Sequence, residues 1–312
     1  MVLFLTGAHG FIGHHVAQHF SKLGWLVVGI GHGAWVEREY AACGLSGWLN
    51  GEISFANLDL LATKFGVPDA IIHLAGGSSV GPSMVSPAED FRRTVLGTAD
   101  LAEWVRLHAP KAAIVMASSA AVYGAQHASA IKETDTCVPF SPYGYHKRMA
   151  ELSLESYAQN FGLSVANVRL FSIYGAGLKK QLLWDSCAKL EQGNAVLSLG
   201  GHGTELRDWL HVKDAVTLLA SALTHASDDA PIVNGGTGVA TSVRAIAEHL
   251  TNCWGGGQTV QFSGTARAGD PQSLVADVSL SHQWGWQPQF NWQIGLAEYV
   301  AWFKDVQLKA LN

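Results

Sequence analysis

The sequence predicts an α/β fold, in which a doubly wound parallel sheet is followed by a smaller C-terminal α/β lobe. Short apolar runs alternate with longer amphipathic segments through the first half of the chain, the order that parallel sheets require. Glycines at positions 7, 10 and 13 directly follow the first apolar run, and the alternation becomes less regular after Tyr174-Gly175. We therefore expect one domain over residues 1–171 and a second lobe over 172–312, with segments near 208–236 returning to the first.

The first half of the chain contains six predicted strands, each short and apolar. The first helix between them ends before Gly24, the next begins with Pro87 in its first turn, and the last ends before Gly162. Apolar strands of this length are typical of a sheet that is covered by helices on both faces. The predicted strands are 2–6, 25–30, 53–56, 69–74, 112–117 and 164–170, and the predicted helices are 11–23, 87–108 and 143–161.

The second half contains shorter predicted elements and no internal repeat, low-complexity tract or clear linker. We therefore expect the C-terminal lobe to pack on the first domain instead of being tethered to it. The predicted helices are 178–192, 212–224, 242–250 and 294–303, and the predicted strands are 195–199, 232–234 and 259–262.

Composition excludes several classes of function. The 312 residues carry a net charge of −5 with only 14% charged residues and no basic run, so we expect no nucleic-acid partner. No apolar stretch reaches membrane-spanning length, so no membrane association is expected. The four cysteines form no CxxC pair and the 14 histidines no HExxH pattern, which predicts neither a disulfide framework nor a metal site and fits a cytoplasmic protein.

The glycine motif predicts a dinucleotide site. Gly7, Gly10 and Gly13 lie between a strand and a helix, the context in which this spacing is informative. Gly7 permits a tight turn, Gly10 lets the backbone approach a pyrophosphate, and Gly13 lets the helix pack closely on the strand. Phe11 and Ile12 open the helix, whose first N–H groups can bind the pyrophosphate. Residues 1–171 are therefore predicted to be a Rossmann domain that binds NAD or NADP.

The end of the second strand favours NADP, with NAD as the alternative. NAD sites usually offer an acidic side chain there for the adenosine ribose, and residues 29–33 contain none. His32 and Arg38 are candidate partners for a ribose phosphate. Asp59 and Leu60, after the predicted third strand, are candidates for an adenine contact, although Asp59 fits a helix N-cap equally well.

Tyr143 and Lys147 are the candidate proton-transfer residues. Four residues apart on a helix, they share one face and lie one turn apart. An ammonium near a phenol favours the phenolate, so we expect Lys147 to lower the pKa of Tyr143 and ease transfer of its proton.

Taken together, these residues resemble the extended short-chain dehydrogenase/reductase family that acts on nucleotide sugars. The matching segments occur in order over nearly the whole chain, so chance agreement is very improbable. They are the glycine motif at 7–13, residues 73–75, 118–124, 141–147, 169–175, 207–214, 234–238 and 267–270.

The resemblance implies catalytic and cofactor roles. Ser119 would hydrogen-bond the reacting sugar oxygen, and Tyr143 would be the general acid or base at that oxygen. Lys147 would hold the nicotinamide ribose. The segment Leu74-Ala75-Gly76 would end a strand beside the cofactor, which Tyr143 and Lys147 also contact.

The resemblance also implies a nucleoside-diphosphate sugar as the substrate. Arg207 and Arg267 would pair with its diphosphate, Trp209 would pack near the nucleotide, and Ser79 would line the sugar site. Two positions depart from the family pattern, because Ser172 and Thr94 stand where asparagine is common. A serine hydroxyl is shorter than an amide, so the Ser172 contact with the diphosphate is expected to be weaker or bridged by water.

Three readings of the reaction remain. Family dehydratases carry acidic residues where this chain has Ala120 and Ala121, and methyl groups cannot move protons, so dehydration is not expected. Our first interpretation is NADPH-dependent reduction of a nucleoside-diphosphate 4-keto-6-deoxyhexose at carbon 4. The alternative is a 4-epimerase with tightly bound NAD, and a remote one is a non-catalytic dinucleotide-binding regulator.

By analogy with the family, a homodimer would form through helices 87–108 and 143–161.

Overall fold

The computed structural model describes residues 1–127, 129–265 and 270–311. The strands are β1 Val2–Thr6, β2 Leu26–Gly31, β3 Gly47–Asn50, β4 Ala70–His73, β5 Ala113–Ser119, β6 Val165–Leu170, β7 Ser172–Tyr174, β8 Val196–Leu199, β9 Leu206–His211, β10 Ile232–Gly235, β11 Ala240–Ser242, β12 Thr259–Phe262 and β13 Ser273–Leu274. The helices are α1 Phe11–Lys22, α2 Glu37–Ala42, α3 Phe55–Phe65, α4 Val80–Val85, α5 Pro87–Phe91, α6 Gly97–His108, α7 Pro142–Phe161, α8 Gln181–Glu191, α9 Val212–His225, α10 Val243–Trp254, α11 Ser279–Gln283 and α12 Trp292–Leu311.

Seven parallel strands form the main sheet, in the order β10-β6-β5-β4-β1-β2-β3. Each is short, and all except the edge strand β3 are largely buried, as the apolar runs in the sequence predict. The chain moves outward from β1 to β3 and then returns to the other side of β1 with β4, so the strand order reverses between β1 and β4. Such a reversal opens a crevice at the carboxyl ends of the two strands. The predicted doubly wound α/β fold is confirmed.

Helices cover both faces of this sheet. Side chains of α1 and α9 form one apolar core with the strands, and those of α3, α6 and α7 form another on the opposite face. Strand β10 comes from the C-terminal half of the chain and pairs with β6 at the edge of the sheet. The remaining C-terminal elements form a four-stranded sheet of β7, β9, β11 and β13, a two-stranded sheet of β8 and β12, and a separate core with α8, α10 and α12.

Two predicted elements differ from the structure. The third strand was placed at residues 53–56, which is wrong, because β3 is Gly47–Asn50 and residue 55 already begins α3. The reason is local: the Ser54 hydroxyl accepts a hydrogen bond from Asn57 N (3.4 Å) and so caps α3. The helix predicted over 87–108 contains a π-helical turn, Arg92–Leu96, between α5 and α6. No helix among the described residues is long and apolar enough to span a membrane.

Candidate active site

The carboxyl ends of β1, β4 and β5 meet at the crevice where the strand order reverses. Thr6, His73 and Ser119 end these three strands, so each side chain is carried to the same edge of the sheet by a rigid element. Most of the residues that the sequence analysis singled out follow one of these strands or lie on α7. The fold therefore brings them into one cleft.

The glycine motif forms a tight turn between β1 and α1. Gly7 has φ +69°, and a Cβ there would lie 2.9 Å from the backbone of Leu74 and Ala75. At Gly13 a Cβ would overlap the carbonyl oxygens of residues 7 and 8, so the helix can approach the strand only without a side chain. Gly10 is the N-cap of α1 and supplies no side-chain cap. The first N–H groups of α1 are thus left for an external acceptor, and this cradle fits a dinucleotide pyrophosphate.

A buried chain of hydrogen bonds lies beneath the turn. The Thr6 hydroxyl bonds His73 Nδ1 (2.7 Å) and accepts from the backbone N–H groups of Leu74 and Ala75 (3.0 Å each), while His73 Nε2 bonds the Thr98 hydroxyl (3.0 Å). Burial, aided by the charge of Lys147, lowers the pKa of His73 to about 3. His73 therefore stays neutral and fixes the segment after β4 instead of moving protons.

Tyr143 and Ser119 meet in the cleft. Ser119 ends β5, and its hydroxyl accepts from Ala121 N (3.2 Å) and lies close enough to the Tyr143 phenol to act on its pKa. Tyr143 lies in the first turn of α7, which Ser141 caps by accepting from Gly144 N, and the Tyr143 N–H donates to the Ser83 hydroxyl (3.1 Å). A hydrogen bond thus positions the Tyr143 backbone, and the phenol lies beside the Ser119 hydroxyl.

Lys147 is deeply buried, with 4% of its surface exposed, and its ammonium donates to the Ala117 carbonyl (2.9 Å). Burial lowers its pKa to about 8, although Asp90 and Glu151 oppose this shift. The expected lowering of the Tyr143 pKa by Lys147 does not occur in this structure. Burial raises the pKa of Tyr143, the Ser119 hydrogen bond opposes the rise, and Asp90 adds to it. The reason is that Tyr143 contacts Ser119, while Lys147 is turned toward β5.

At the end of β2, the structure places both predicted phosphate partners in solvent. His32 follows the strand directly, and Arg38 lies on α2 between two glutamates; both are exposed. The sequence analysis missed His9, within the glycine turn itself. Its ring lies 4.7 Å from that of Trp35 and 5.9 Å from that of Trp48, so aromatic rings border this end of the cleft. A histidine between the motif glycines was the available signal.

Asp59 and Leu60 were predicted to follow the third strand, and that premise is wrong. Both are exposed residues in the middle of α3, where Asp59 accepts a hydrogen bond from Trp104 Nε1 (2.7 Å). Asp59 is not the N-cap either, because Ser54 has that role. The residues that follow β3 are Gly51, Glu52 and Ile53.

The predicted substrate residues lie mainly on the small four-stranded sheet. Ser172 in β7 is opposite Trp209 in β9, and the Trp209 indole N–H has no hydrogen-bond partner among the described residues. The Arg207 guanidinium donates to the Leu206 and Pro271 carbonyls (2.8 Å each), and burial lowers its pKa. Ser79 is the N-cap of α4. Arg267 lies outside the described residues.

Sequence reasoning also missed three polar side chains near the cleft. Asp90 and His146 form a buried pair, and the Lys180 ammonium donates to the Ser78 carbonyl (3.4 Å) across the two lobes. Asp90 and His146 gave no signal because neither belongs to a recognised spacing. In the described part of the chain, no three His, Cys, Asp or Glu side chains converge as a metal site would require.

Comparison with known proteins places this geometry in context. The model of the NAD dependent epimerase/dehydratase family matches residues 3–236. A UDP-glucose 4-epimerase of Azospirillum brasilense is 28% identical over 97% of this chain and 92% of its own length. A UDP-glucuronate 4-epimerase of Thermodesulfobacterium geofontis is 26% identical over 96% of this chain and 95% of its own.

A solved relative gives the same indication. MoeE5, in complex with UDP-glucuronic acid and NAD, superposes with a TM-score of 0.86 and 29% identity, covering 98% of this chain and all of that one. These similarities favour the epimerase alternative over the reductase that we put first. They give no support for NADP over NAD.

Proposed function

Because the chain belongs to the NAD dependent epimerase/dehydratase family, we propose that it is a 4-epimerase of a UDP-sugar and that it uses NAD. Relatives that match nearly the whole chain are UDP-sugar 4-epimerases, and MoeE5 was solved with both NAD and UDP-sugars. The observation that carries the proposal is the proximity of the Tyr143 phenol and the Ser119 hydroxyl at the carboxyl edge of the sheet, beside the glycine turn.

The residues around the glycine turn would hold the cofactor. Gly7, Gly10 and Gly13 form the cradle, with Phe11 and Ile12 opening α1 for the pyrophosphate. The segment Leu74-Ala75-Gly76 borders it, held by Thr6. NAD bound there would supply a hydride acceptor for carbon 4, and the positive charge of its ring would favour a nearby phenolate. No acidic group follows β2, so the aromatic border around His9 would contact the adenosine end instead.

Tyr143 would handle the proton at the sugar. Its phenolate oxygen accepts the proton of the sugar 4-hydroxyl as carbon 4 is oxidised. The proton returns to the sugar 4-oxygen after the keto sugar has rotated to present its opposite face. Ser119 donates a hydrogen bond to that oxygen and stabilises its charge. The Lys147 ammonium, held by Ala117, would bind the nicotinamide ribose.

The small sheet would bind the nucleotide and its diphosphate. The half-buried Arg207 guanidinium suits a phosphate, and Ser172 would reach the diphosphate through its hydroxyl. The Trp209 N–H, which has no hydrogen-bond partner in the described part of the chain, would donate to the nucleotide, and Ser79 would line the sugar site. The same proposal includes Arg267 as a second diphosphate partner.

We also propose that the protein is a cytoplasmic homodimer. All four cysteines are free, as in a reducing compartment. Leu101, on the helix predicted over 87–108, packs in the core. The exposed apolar residues that support a dimer are Tyr145, Met149 and Leu152 of α7, with Phe91 of α5 and Leu96 of the π-helical turn.

The test is interconversion of UDP-glucose and its 4-epimer by the purified protein with NAD, followed by NMR from each direction, with UDP-glucuronate as a second substrate. Tyr143→Phe is expected to reduce kcat by about 10³-fold while leaving NAD binding intact, since only the proton acceptor is lost. Tyr145→Phe is the matched control, because Tyr145 lies on the same helix and is 50% exposed.

Two results would overturn the proposal. One is full turnover by Tyr143→Phe. The other is net NADPH-dependent reduction of a 4-keto sugar without any interconversion of the two UDP-sugars.

A further inference from the structure

A buried acid–imidazole pair lies beside the proton-transfer residues. His146 Nδ1 is 2.6 Å from Asp90 Oδ2, and only 9% and 7% of these residues' surfaces are exposed. Asp90 lies on α5, and His146 lies on α7 between Tyr143 and Lys147 in sequence. Because an aspartate is seldom buried without a partner, the imidazole is what allows the carboxylate to lie here.

The carboxylate is fixed from several sides. A Cβ at Gly77 would lie 2.7 Å from the Asp90 carboxyl carbon, so the acid packs directly on the backbone of the segment after β4. The Phe91 ring packs edge-on against His146, at 5.4 Å between centroids. The Thr94 hydroxyl, in the π-helical turn that follows α5, accepts a hydrogen bond from Gly77 N (2.7 Å). Helix α5 and its extension therefore line the cleft with ordered polar groups.

The charge of Asp90 reaches both proton-transfer residues. Asp90 raises the pKa of Tyr143 and opposes the fall in the pKa of Lys147. The other charged side chain that acts on Lys147 is Glu151, which already bonds Arg169 (2.8 and 2.9 Å) and Arg148 (2.9 Å). The His73 ring, also near Lys147, is neutral. Asp90 is thus the carboxylate near Lys147 whose partner in the structure is an imidazole instead of a guanidinium.

We propose that Asp90 and His146 are positioning residues for the epimerisation: His146, which lies between Tyr143 and Lys147 on α7, holds the buried Asp90 carboxylate against Gly77, and the negative charge fixed there acts on the proton-transfer residues. This inference rests on the proposed function, because it assigns a role in that same cleft. It predicts that the two ionisations are set by a residue outside the Ser119, Tyr143 and Lys147 constellation.

The first test is the pH profile of kcat for Asp90→Asn, which preserves shape and hydrogen-bonding capacity and so is expected to fold. Removing the negative charge lowers the pKa of both Tyr143 and Lys147. Both limbs of the profile should therefore move to lower pH, by about one unit. If Asp90 had only a structural role, Asp90→Asn would lower the maximum of kcat without moving either limb of its pH profile.

Two further variants give the test its controls. His146→Gln keeps an N–H donor for Asp90 and is expected to retain the wild-type limbs. Glu89→Gln removes the same charge one residue earlier, where Glu89 is only partly buried and pairs with Arg92 and Arg93, and should shift nothing. Equal shifts in Glu89→Gln and Asp90→Asn would overturn the inference, because the effect would then be one of overall charge.

The second test needs no turnover. The ionisation of Tyr143 is followed by its phenolate absorbance in the protein without substrate. For the wild type and for Asp90→Asn, the absorbance of the same protein carrying Tyr143→Phe is subtracted at each pH. Asp90→Asn should ionise Tyr143 at lower pH, by about one unit. A shift in this titration without any epimerase activity in the wild type would support the positioning role and refute the proposed function. If the wild type is active and Asp90→Asn moves neither the limbs of the pH profile nor the Tyr143 titration, the positioning role is refuted and the proposed function is not.

Discussion

The two ends of the cleft are built in different ways. The cofactor end is mostly backbone: seven consecutive residues, 7–13, form the turn, and their main requirement is the absence of side chains at Gly7 and Gly13. The proton-transfer end is mostly side chains, and it needs β5, α5 and α7 to bring Ser119, Asp90 and Tyr143 together.

The two ends therefore differ in what destabilises them in the absence of a ligand. The glycine turn satisfies backbone groups and leaves N–H donors exposed to a ligand, so it carries no buried charge of its own. The proton-transfer end keeps an ammonium in a buried site, and burial lowers the pKa of Lys147 to about 8. We therefore expect substitutions at the first end to act through packing and at the second through charge.

Gly13→Ala should have the largest effect. The added Cβ would lie 2.6 Å from Ala8 O, between two backbone segments that cannot move independently. We expect a loss of about 1–3 kcal/mol in the free energy of unfolding and at least a tenfold weaker affinity for NAD. Chemical denaturation and calorimetric titration with NAD measure the two quantities.

Gly81→Ala is the matched control, since nothing lies within 4 Å of a Cβ at that glycine. It should leave both quantities nearly unchanged. If Gly13→Ala were as stable as the wild type and bound NAD equally well, the close approach of α1 to the turn would not be what the cofactor end depends on.

Lys147→Met should stabilise the protein while removing its activity. Below about pH 8 both the folded and unfolded chains carry the ammonium, so the wild type bears the full cost of burying it. Between about pH 8 and 10.5 the unfolded chain binds more protons, and this cost disappears as pH rises. The variant's advantage should thus be at most about 3 kcal/mol at pH 7 and vanish above pH 10.5.

Denaturant unfolding at several pH values measures this advantage. Lys189→Met is the matched control, because that ammonium also bonds a backbone carbonyl, Ser198 O at 2.7 Å, but in an exposed hydrogen bond. Its effect should stay within about 0.5 kcal/mol at every pH. A Lys147→Met variant less stable than the wild type at pH 7 would mean that the ammonium is not a destabilising charge.

The same contrast explains how far the sequence could predict the molecule. The sheet, most of its helices and the glycine turn were predicted, because each is encoded by neighbouring residues, and the family resemblance is confirmed. The strand at 53–56 failed because four apolar or small residues do not distinguish a strand from a capped helix start. Asp59 and Leu60 were misplaced as a consequence.

The proton-transfer end was predicted only in its motif residues. The spacing of Tyr143 and Lys147 gives a shared helix face, but it does not show that Lys147 bonds Ala117 and that the Tyr143 phenol lies near Ser119. Asp90 and His146 are 56 residues apart, and only the packing of α5 on α7 joins them. Such contacts depend on tertiary structure, which no local pattern encodes.

His32→Asp should have the smallest effect and bears on the cofactor end alone. The carboxylate is introduced at His32 because that side chain is exposed. At the neighbouring Gly31, φ is +158° and a Cβ would lie 3.3 Å from Trp48. A carboxylate after β2 accepts from ribose hydroxyls and repels a ribose phosphate, so the ratio of the NADP and NAD Kd values should rise about tenfold. Ala41→Asp places the same charge on the exposed side of α2 and should leave the ratio unchanged. If His32→Asp also left it unchanged, the adenosine ribose would not meet the end of β2, and the aromatic border around His9 would be the place to alter next.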